Sequence, residues 1–415
     1  MMSIIRDPAL APSGCRKIDW VRNFMPALSQ IEARFEKEQP FKGLRIAVSV
    51  HLEAKTANLG LVLKAGGAEV HLTGSNPLST QDDVAAGVAA RGVNVYAWHG
   101  STPEEYEAHL VETLKCHPHI VIDDGGDLIQ LLGGKCAQYA DCLMGGCEET
   151  TTGILRLKAR EREGTLPCAM MAVNDAKAKH YYDNKYGTGQ SVWDAIMHMT
   201  NLVVAGKTVV VAGYGWCGSG VALRAKGMGA DVIVTEIDPF KALDATMNGY
   251  RVMTMADAAP LGDVFVTVTG CRDVITPAHY AVMKPNALLS NAGHFDCEVD
   301  VKWLEENAVE KWEQREGITG YRLADGKVLN VLAEGRLVNL AGGNGHPAEI
   351  MDMSFSVQAL AAEWVARHHG ELEKKLYPIP AGIDDQIGWA KLAALGLTID
   401  KLTPEQEEYL NSSNA

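Results

Sequence analysis

The run Val209-Val-Val-Ala-Gly213-Tyr214-Gly215-Trp216-Cys217-Gly218, with Val232-Ile-Val-Thr-Glu236 beyond it, constrains this chain more than any other stretch. It reads as strand, glycine turn, helix, second strand and acid. The glycines let the turn tighten and let backbone N–H groups approach a pyrophosphate at a helix N-terminus. Glu236 stands close to the roughly 20 positions past the first glycine at which a carboxylate grips a ribose 2′-OH. A carboxylate there repels a 2′-phosphate, so the pattern selects NAD over NADP. A turn-rich loop between two core strands is the bland alternative, and the flanking strands and placed acid argue against it.

A chain of 415 residues predicts two or three domains at roughly 100–200 residues each. The formal net charge of −14 argues against nucleic acid and anionic membranes, both of which need a basic surface. No apolar stretch reaches the ~18 residues of a membrane span, and the N-terminus lacks the apolar region of a signal peptide. Nine scattered cysteines, an odd number, suit free thiols in a reducing cytoplasm. Cys116-His117-Pro118-His119 has no partner pair at zinc-like spacing, so no metal is expected.

Along the chain, strands and helices alternate as in a parallel α/β sheet. The strands Leu44–Val50, Ala68–Leu72, Val93–Trp98 and Ile120–Ile122, with a helix over Glu53–Ala65, belong to a first region. The polar loop Thr73–Thr80 follows a strand, where open α/β sheets hold ligands. A helix near Ser191–Leu202 opens a second region, which holds the glycine motif and strands at Val264–Thr269, Ala287–Ser290 and Val328–Leu332. A long helix over about Ile350–His368 returns the chain to the first region, and a helix near Asp384–Leu395 and a short segment Thr403–Tyr409 close it.

The expected fold is α/β with two Rossmann-like domains and a small C-terminal segment. Residues 1–190 and 347–380 form a discontinuous substrate-binding domain, 191–346 an NAD-binding domain, and 381–415 the terminal segment.

Four polar clusters carry the chemistry: His51-Leu-Glu53-Ala-Lys55-Thr56, Asp123-Asp124-Gly-Gly-Asp127, Glu148-Glu149-Thr150-Thr151-Thr152-Gly153, and Asn174-Asp175 through Lys179 to Asp183-Asn184. Lys179 and Asp183 are spaced i, i+4, so on an α-helix they share a face. Each cluster alone reads more readily as caps or solvated charge. Four of them beside a nicotinamide site point to catalysis.

These stretches, with Thr269-Gly-Cys271, Asn291-Ala-Gly-His294-Phe-Asp296, Ala333-Glu-Gly-Arg-Leu-Val-Asn339 and Gly345-His346-Pro347, strongly resemble the S-adenosyl-L-homocysteine hydrolase family from about Ile18 to Tyr409. The resemblance implies reversible, NAD-dependent hydrolysis of S-adenosylhomocysteine to adenosine and homocysteine through a 3′-keto intermediate, in a cytoplasmic homotetramer. It implies catalytic roles for His51, Asp124, Glu149, Lys179, Asp183, Asn184 and His294. Substrate contacts would come from Glu53, Lys55, Thr56, Thr150, Thr188 and His346. NAD contacts would come from Thr150, Thr151, Thr152, Asn184, Gly213, Gly215, Gly218, Glu236, Thr269, Asn291, Gly293, Asn339 and His346. Lys179 would be the base for the 3′-hydroxyl, its pKa depressed by burial and neighbours. Hinges near Tyr186–Ser191 and Gly345–Pro347 would close the site.

Three departures from the common family pattern stand out. Thr188 replaces a cysteine, Lys55 replaces a glutamate, and the chain ends without a Lys/Tyr-bearing tail. A lysine is donor-only and suits the O6 of hypoxanthine, so S-inosylhomocysteine is the first alternative substrate. An NAD-dependent dehydratase or dehydrogenase on a related nucleoside is the second. A nucleotide-sensing protein on a decayed site is the third, and the intact polar clusters argue against it.

Overall fold

A computed structural model describes residues 3–413. Two eight-stranded sheets organise it. At the centre of the first lies Arg45–Ser49, four of whose five residues are buried. Such a run, apolar on both faces, requires layers above and below it. It pairs in parallel with Glu69–Thr73 on one side and Ile120–Asp123 on the other. Outward from there come Asn94–Ala97 and Ile4–Ile5 at one edge, and Gly145–Glu148, Ala169–Ala172 and Leu376–Pro378 at the other. All these pairings are parallel.

In the second sheet, Thr208–Ala212 is flanked in parallel by Asp231–Thr235 and Val264–Thr267. Arg251–Val252 continues one side, and Leu288–Asn291 and Val328–Leu332 the other. The hairpin Glu310–Arg315 and Ile318–Arg322 then adds two antiparallel strands. In both sheets the strand order reverses beside the central strand, and ligands of open α/β sheets gather outside such switch points. His51 and Asp124 follow the two strands at the first; Gly213 and Gly215 follow the central strand at the second.

Several elements went unread in the sequence: the edge strands, Gly145–Glu148, Ala169–Ala172 and the antiparallel hairpin. Two glycines weaken Gly145–Glu148 as a strand signal. Glu310–Arg315 is largely exposed at the sheet edge, so its side chains never alternate. The i, i+4 pair Lys179 and Asp183 does meet, at 3.3 Å, but not along a regular α-helix. Lys177–Lys179 is one short helical turn, and His180–Gly187 is a π-helix. The helix expected from Ser191 begins at Thr188. A π turn advances partners to i, i+5, and Lys179 Nζ accordingly reaches Asn184 Oδ1 at 2.7 Å.

The 21-residue helix Ala348–His368 crosses back and packs into the core of the first sheet. Its Asp352 is fully buried. That carboxylate accepts from the backbone N–H groups of Ala27 (3.2 Å) and Leu28 (2.9 Å) at the start of helix Pro26–Glu38, and from Lys391 Nζ (2.8 Å). It therefore ties three distant segments together. Asp352→Ala strands the Lys391 ammonium and two donors, so it should destabilise the fold by about 3 kcal/mol or more. Chemical denaturation would read this, and Asp352→Ala with Lys391→Met should recover part of the loss.

Candidate active site

Strand ends, the π-helix and the long returning helix bring the polar side chains into two buried clusters. Lys179 is buried at the start of the π-helix. Its Nζ lies 3.3 Å from Asp183 Oδ2 and 3.5 Å from Glu149 Oε1. Burial opposes the ammonium charge, but Asp183 and Glu149 outweigh it and raise the pKa of Lys179. The expected depression does not occur: two carboxylates within contact distance exceed the desolvation penalty. Asp183 shows the mirror effect. Burial works against its ionisation, but Lys179 and His346 hold its carboxyl well below the usual range. Glu149 differs, because burial pushes it up to about 8 against the opposing pull of Lys179. The resting cluster is therefore a Lys179–Asp183 ion pair beside a carboxyl that titrates near neutrality.

Two residues missed in the sequence complete this cluster. Ser354 Oγ donates to Asp183 Oδ2 at 2.7 Å, and Gln358 Nε2 donates to Glu149 Oε2 at 2.5 Å. Both belong to the long helix Ala348–His368, one turn apart. Polar residues at i, i+4 in a helix buried on most faces are the signal that could have found them.

The second cluster follows the first sheet's switch point. His51 Nδ1 lies 2.8 Å from Ser79 Oγ, and its Nε2 3.4 Å from Asp124 Oδ2. Ser75 Oγ donates to the same Asp124 oxygen at 3.0 Å. Ser75 and Ser79 sit in the loop expected to hold ligand, but neither was singled out in the sequence. Burial lowers the His51 pKa to about 4, against the pull of Asp124, so its ring is neutral near pH 7. His294 comes from the loop after Leu288–Asn291, in the other sheet, and its Nδ1 stands 3.9 Å from Asp124 Oδ1. His51, Asp124 and His294 present ligand atoms within 4.8 Å of one another, a spacing that also suits proton exchange.

At the far end, Glu53 caps helix Ala54–Ala65 by accepting from the backbone N–H of Lys55 and Thr56. Lys55 Nζ is 2.6 Å from Glu53 Oε2 and donates to Asn344 O at 2.9 Å, across the cleft. Thr56 Oγ1 donates to His51 O at 2.6 Å. Glu53 and Lys55 thus form a buried donor–acceptor pair beside the Asn344 carbonyl.

The dinucleotide side fits its cofactor. Gly213 has a φ of +100°, and a Cβ on Gly218 would stand 1.9 Å from Gly213 O, so the turn cannot take side chains at either position. Glu236 accepts from the N–H groups of Tyr214, Ile237 and Asp238, which fixes its carboxylate at the end of the second strand. Among the described residues, buried polar atoms without a hydrogen-bond partner include Asn339 Oδ1, Asp124 Oδ1, Glu149 Oε1 and Gln358 Oε1. They border the cleft, and a ligand bearing hydroxyls and a carboxamide satisfies such groups.

Other expected contacts are engaged locally. Thr150 caps helix Thr151–Glu163 and donates to Glu148 Oε1. Thr151 reaches Asn174, and Thr152 faces Gly270 across the cleft. Thr269 binds Glu298 through both its N–H and its hydroxyl. Asn291 accepts from Thr267 and Gly293 and donates to the carbonyls of Gly293, Phe295 and Gly335. Its amide therefore holds the His294 loop and presents no free polar atom.

Residues 184–345 match the family description "S-adenosyl-L-homocysteine hydrolase, NAD binding domain", and residues 3–140 match "S-adenosyl-L-homocysteine hydrolase". The chain is 56% identical over 406 residues to the S-inosyl-L-homocysteine hydrolase of Methanocaldococcus jannaschii, covering 98% of each. It is 52% identical over 408 residues to the adenosylhomocysteinase of Pyrococcus abyssi, covering 98% of this chain and 97% of that one. To the adenosylhomocysteinase of Aquifex aeolicus it is 54% identical over 409 residues, covering 98% of each. Matched at both sheets and along nearly its full length, the chain belongs to the S-adenosyl-L-homocysteine hydrolase family and carries that family's NAD-binding domain.

Proposed function

We propose that this protein reversibly hydrolyses S-adenosyl-L-homocysteine to adenosine and L-homocysteine through a 3′-keto intermediate. The observation that carries this reading is a pair of buried clusters near enough to act on one another: the Asp124 charge, paired with His51, favours protonation of both Lys179 and Glu149. The division into a substrate-binding part (1–190 and 347–380), an NAD-binding part (191–346) and a terminal segment (381–415) is supported by which strands join which sheet. A homotetramer is supported by apolar side chains such as Ile237, Phe240 and Met247, which stand more than three-quarters exposed. A cytoplasmic setting is supported by nine cysteines, all free.

The C5′–S bond of a thioether nucleoside is unactivated. Bound NAD supplies a reversible acceptor for the C3′ hydride, and the resulting ketone acidifies the C4′ proton. The chain's own groups place the substrate and move the protons. The 3′-hydroxyl proton passes to Lys179 Nζ as Lys179 hands one of its own to Glu149 in its ionised form, which gains weight as pH rises toward about 8, so the ammonium charge stays constant. Asp183 orients the ammonium throughout, and Asn184 fixes its third donor. His51, neutral near pH 7, takes the C4′ proton as homocysteine leaves. Asp124 and Ser79 orient its ring, and His294 closes over it from the other sheet. The same groups run in reverse when water adds at C5′.

A second reading is S-inosyl-L-homocysteine hydrolysis, favoured by Lys55. Adenine offers an N6 donor beside an N1 acceptor; hypoxanthine offers the reverse order. Glu53 and Lys55 supply one acceptor and one donor side by side, so their order along the base edge decides specificity. The relatives named above include both activities.

With the purified protein, the favoured base should win by roughly 5- to 150-fold in kcat/KM, since an unpaired buried polar group costs about 1–3 kcal/mol. Higher kcat/KM for S-inosylhomocysteine would replace the first reading with the second. Denatured pure protein should release NAD near one per chain, and turnover should not accumulate reduced cofactor stoichiometrically. Lys179→Ala should abolish the absorbance of reduced nicotinamide on mixing with adenosine. His51→Asn should keep that signal and stall afterwards; equal loss in both variants would show that their roles are not separable.

His51 adds a pH prediction. Its folded pKa of about 4 lies below the ordinary 6.5. Between those values the unfolded chain binds the extra proton, so stability contributed by this group rises with pH across that window. Histidine hydrogen–deuterium exchange read by mass spectrometry should place the His51 midpoint near 4; a midpoint near 6.5 would contradict its burial.

A further inference from the structure

A chain of polar contacts leaves the Lys179 cluster through both hinges and ends in the glycine turn. Asp183 Oδ1 lies 2.5 Å from His346 Nδ1, and His346 Nε2 lies 3.2 Å from Thr188 Oγ1. Thr188 Oγ1 in turn stands 3.7 Å from Cys217 Sγ. His346 belongs to the second hinge, Thr188 to the first, and Cys217 to the dinucleotide turn. A Cβ on Gly187 would stand 2.8 Å from His346 Nδ1, so a larger residue there would push the ring off Asp183.

We propose that Cys217, Thr188 and His346 form a reversible hydrogen-bond relay that holds Asp183 against Lys179, with Cys217 a positioning residue for oxidation of the substrate hydroxyl. The proposal rests on the reaction assigned above.

The relay has only two self-consistent states. Ionised Asp183 is acceptor-only, so His346 Nδ1 must donate to it. In the neutral ring, Nε2 is an acceptor. Thr188 gives its single hydroxyl proton to it, and the Cys217 S–H donates to Thr188 Oγ1. In the imidazolium, Nε2 donates instead. Thr188 accepts there and turns its hydroxyl to Cys217 Sγ. A thiol serves both states because its sulfur donates and accepts, and serine would do the same. Alanine serves neither, and would leave a buried hydroxyl half-paired. Both arrangements keep His346 Nδ1 donating to Asp183.

The groups facing His346 are Asp183 and Thr188 in contact, Lys179 beyond Asp183, and Cys217 beyond Thr188. His51, across the cleft, has its proton affinity lowered by charge on His346. Burial raises the Cys217 pKa, while Thr188 and Lys179 pull it back. The sulfur thus enters the relay as a thiol.

The test compares holoenzymes carrying Cys217→Ala, Cys217→Ser and Thr188→Val with the unaltered protein. Each is mixed rapidly with adenosine across a pH series, and reduced nicotinamide is followed. Cys217→Ala should slow the reduction about fivefold, the effect of one net hydrogen bond, and shift its pH profile with apparent adenosine affinity little changed. Cys217→Ser should restore rate and profile together. Thr188→Val should reproduce the loss, and adding Cys217→Ala to it should cost nothing more. Apart from turnover, Thr188→Val should slow alkylation of Cys217 by iodoacetamide, read by peptide mass spectrometry, because the hydroxyl favouring the thiolate is gone. An unshifted pH profile in Cys217→Ala, failure of serine to restore it, or additivity of the two substitutions would overturn the relay. If the unaltered protein reduces no nicotinamide with adenosine or inosine, the proposed reaction fails instead, and the alkylation measurement still decides the relay.

Discussion

The Lys179–Asp183 ion pair is the interaction on which the rest of the site depends. Burying two charges costs several kcal/mol per ion unless geometry and further hydrogen bonds offset it. Here the offset comes from many directions. Lys179 also meets Asn184 and Glu149; Asp183 also meets Ser354 and His346. These partners arrive from the π-helix, the end of a parallel strand, the long returning helix and the second hinge. No single element could hold the pair ionised. Once held, it leaves Glu149 as the group free to exchange protons near neutral pH.

Contacts across the cleft complete the enclosure. His294 reaches Asp124, Lys55 reaches the Asn344 carbonyl, and the Arg156 guanidinium lies 4.4 Å from the centre of the Phe295 ring. Each joins a residue of the first sheet's layer to a loop of the second. Such bridges between the two halves suit a reaction whose ketone intermediate must be kept from bulk water. At the end of the π-helix, Gly187 lets the His346 ring approach closely.

Much of this was legible in the sequence because it depends on local pattern. The glycine turn, the acid after the second strand and the central apolar strands are read from short windows. Their positions agree with the structure to within a residue or two. The His51, Asp124, Glu149 and Lys179 clusters stood out because four of them accompany a nicotinamide motif, although each alone reads as caps or solvated charge. What escaped depends on distant pairing. Ser354 and Gln358 look like ordinary helix residues until the helix Ala348–His368 is laid against Asp183 and Glu149. The sign of the Lys179 shift was misjudged for the same reason, since burial is guessed from composition but two carboxylates at contact distance are not. Thr188 looked like a lost thiol; the fold returns one through Cys217 from a segment far along the chain.

The returning helix and the edge strand Leu376–Pro378 have a further consequence, for the order of assembly during synthesis. The first sheet pairs Ala169–Ala172 with a strand made only after the whole second sheet has left the ribosome. Until then one edge of the first sheet lies open, and the face that Ala348–His368 will cover stays bare. The second sheet, built from one uninterrupted stretch, can close first. A nascent chain of this topology thus completes its later half before its earlier one, and Asp183 and Glu149 acquire Ser354 and Gln358 only as the helix Ala348–His368 folds back.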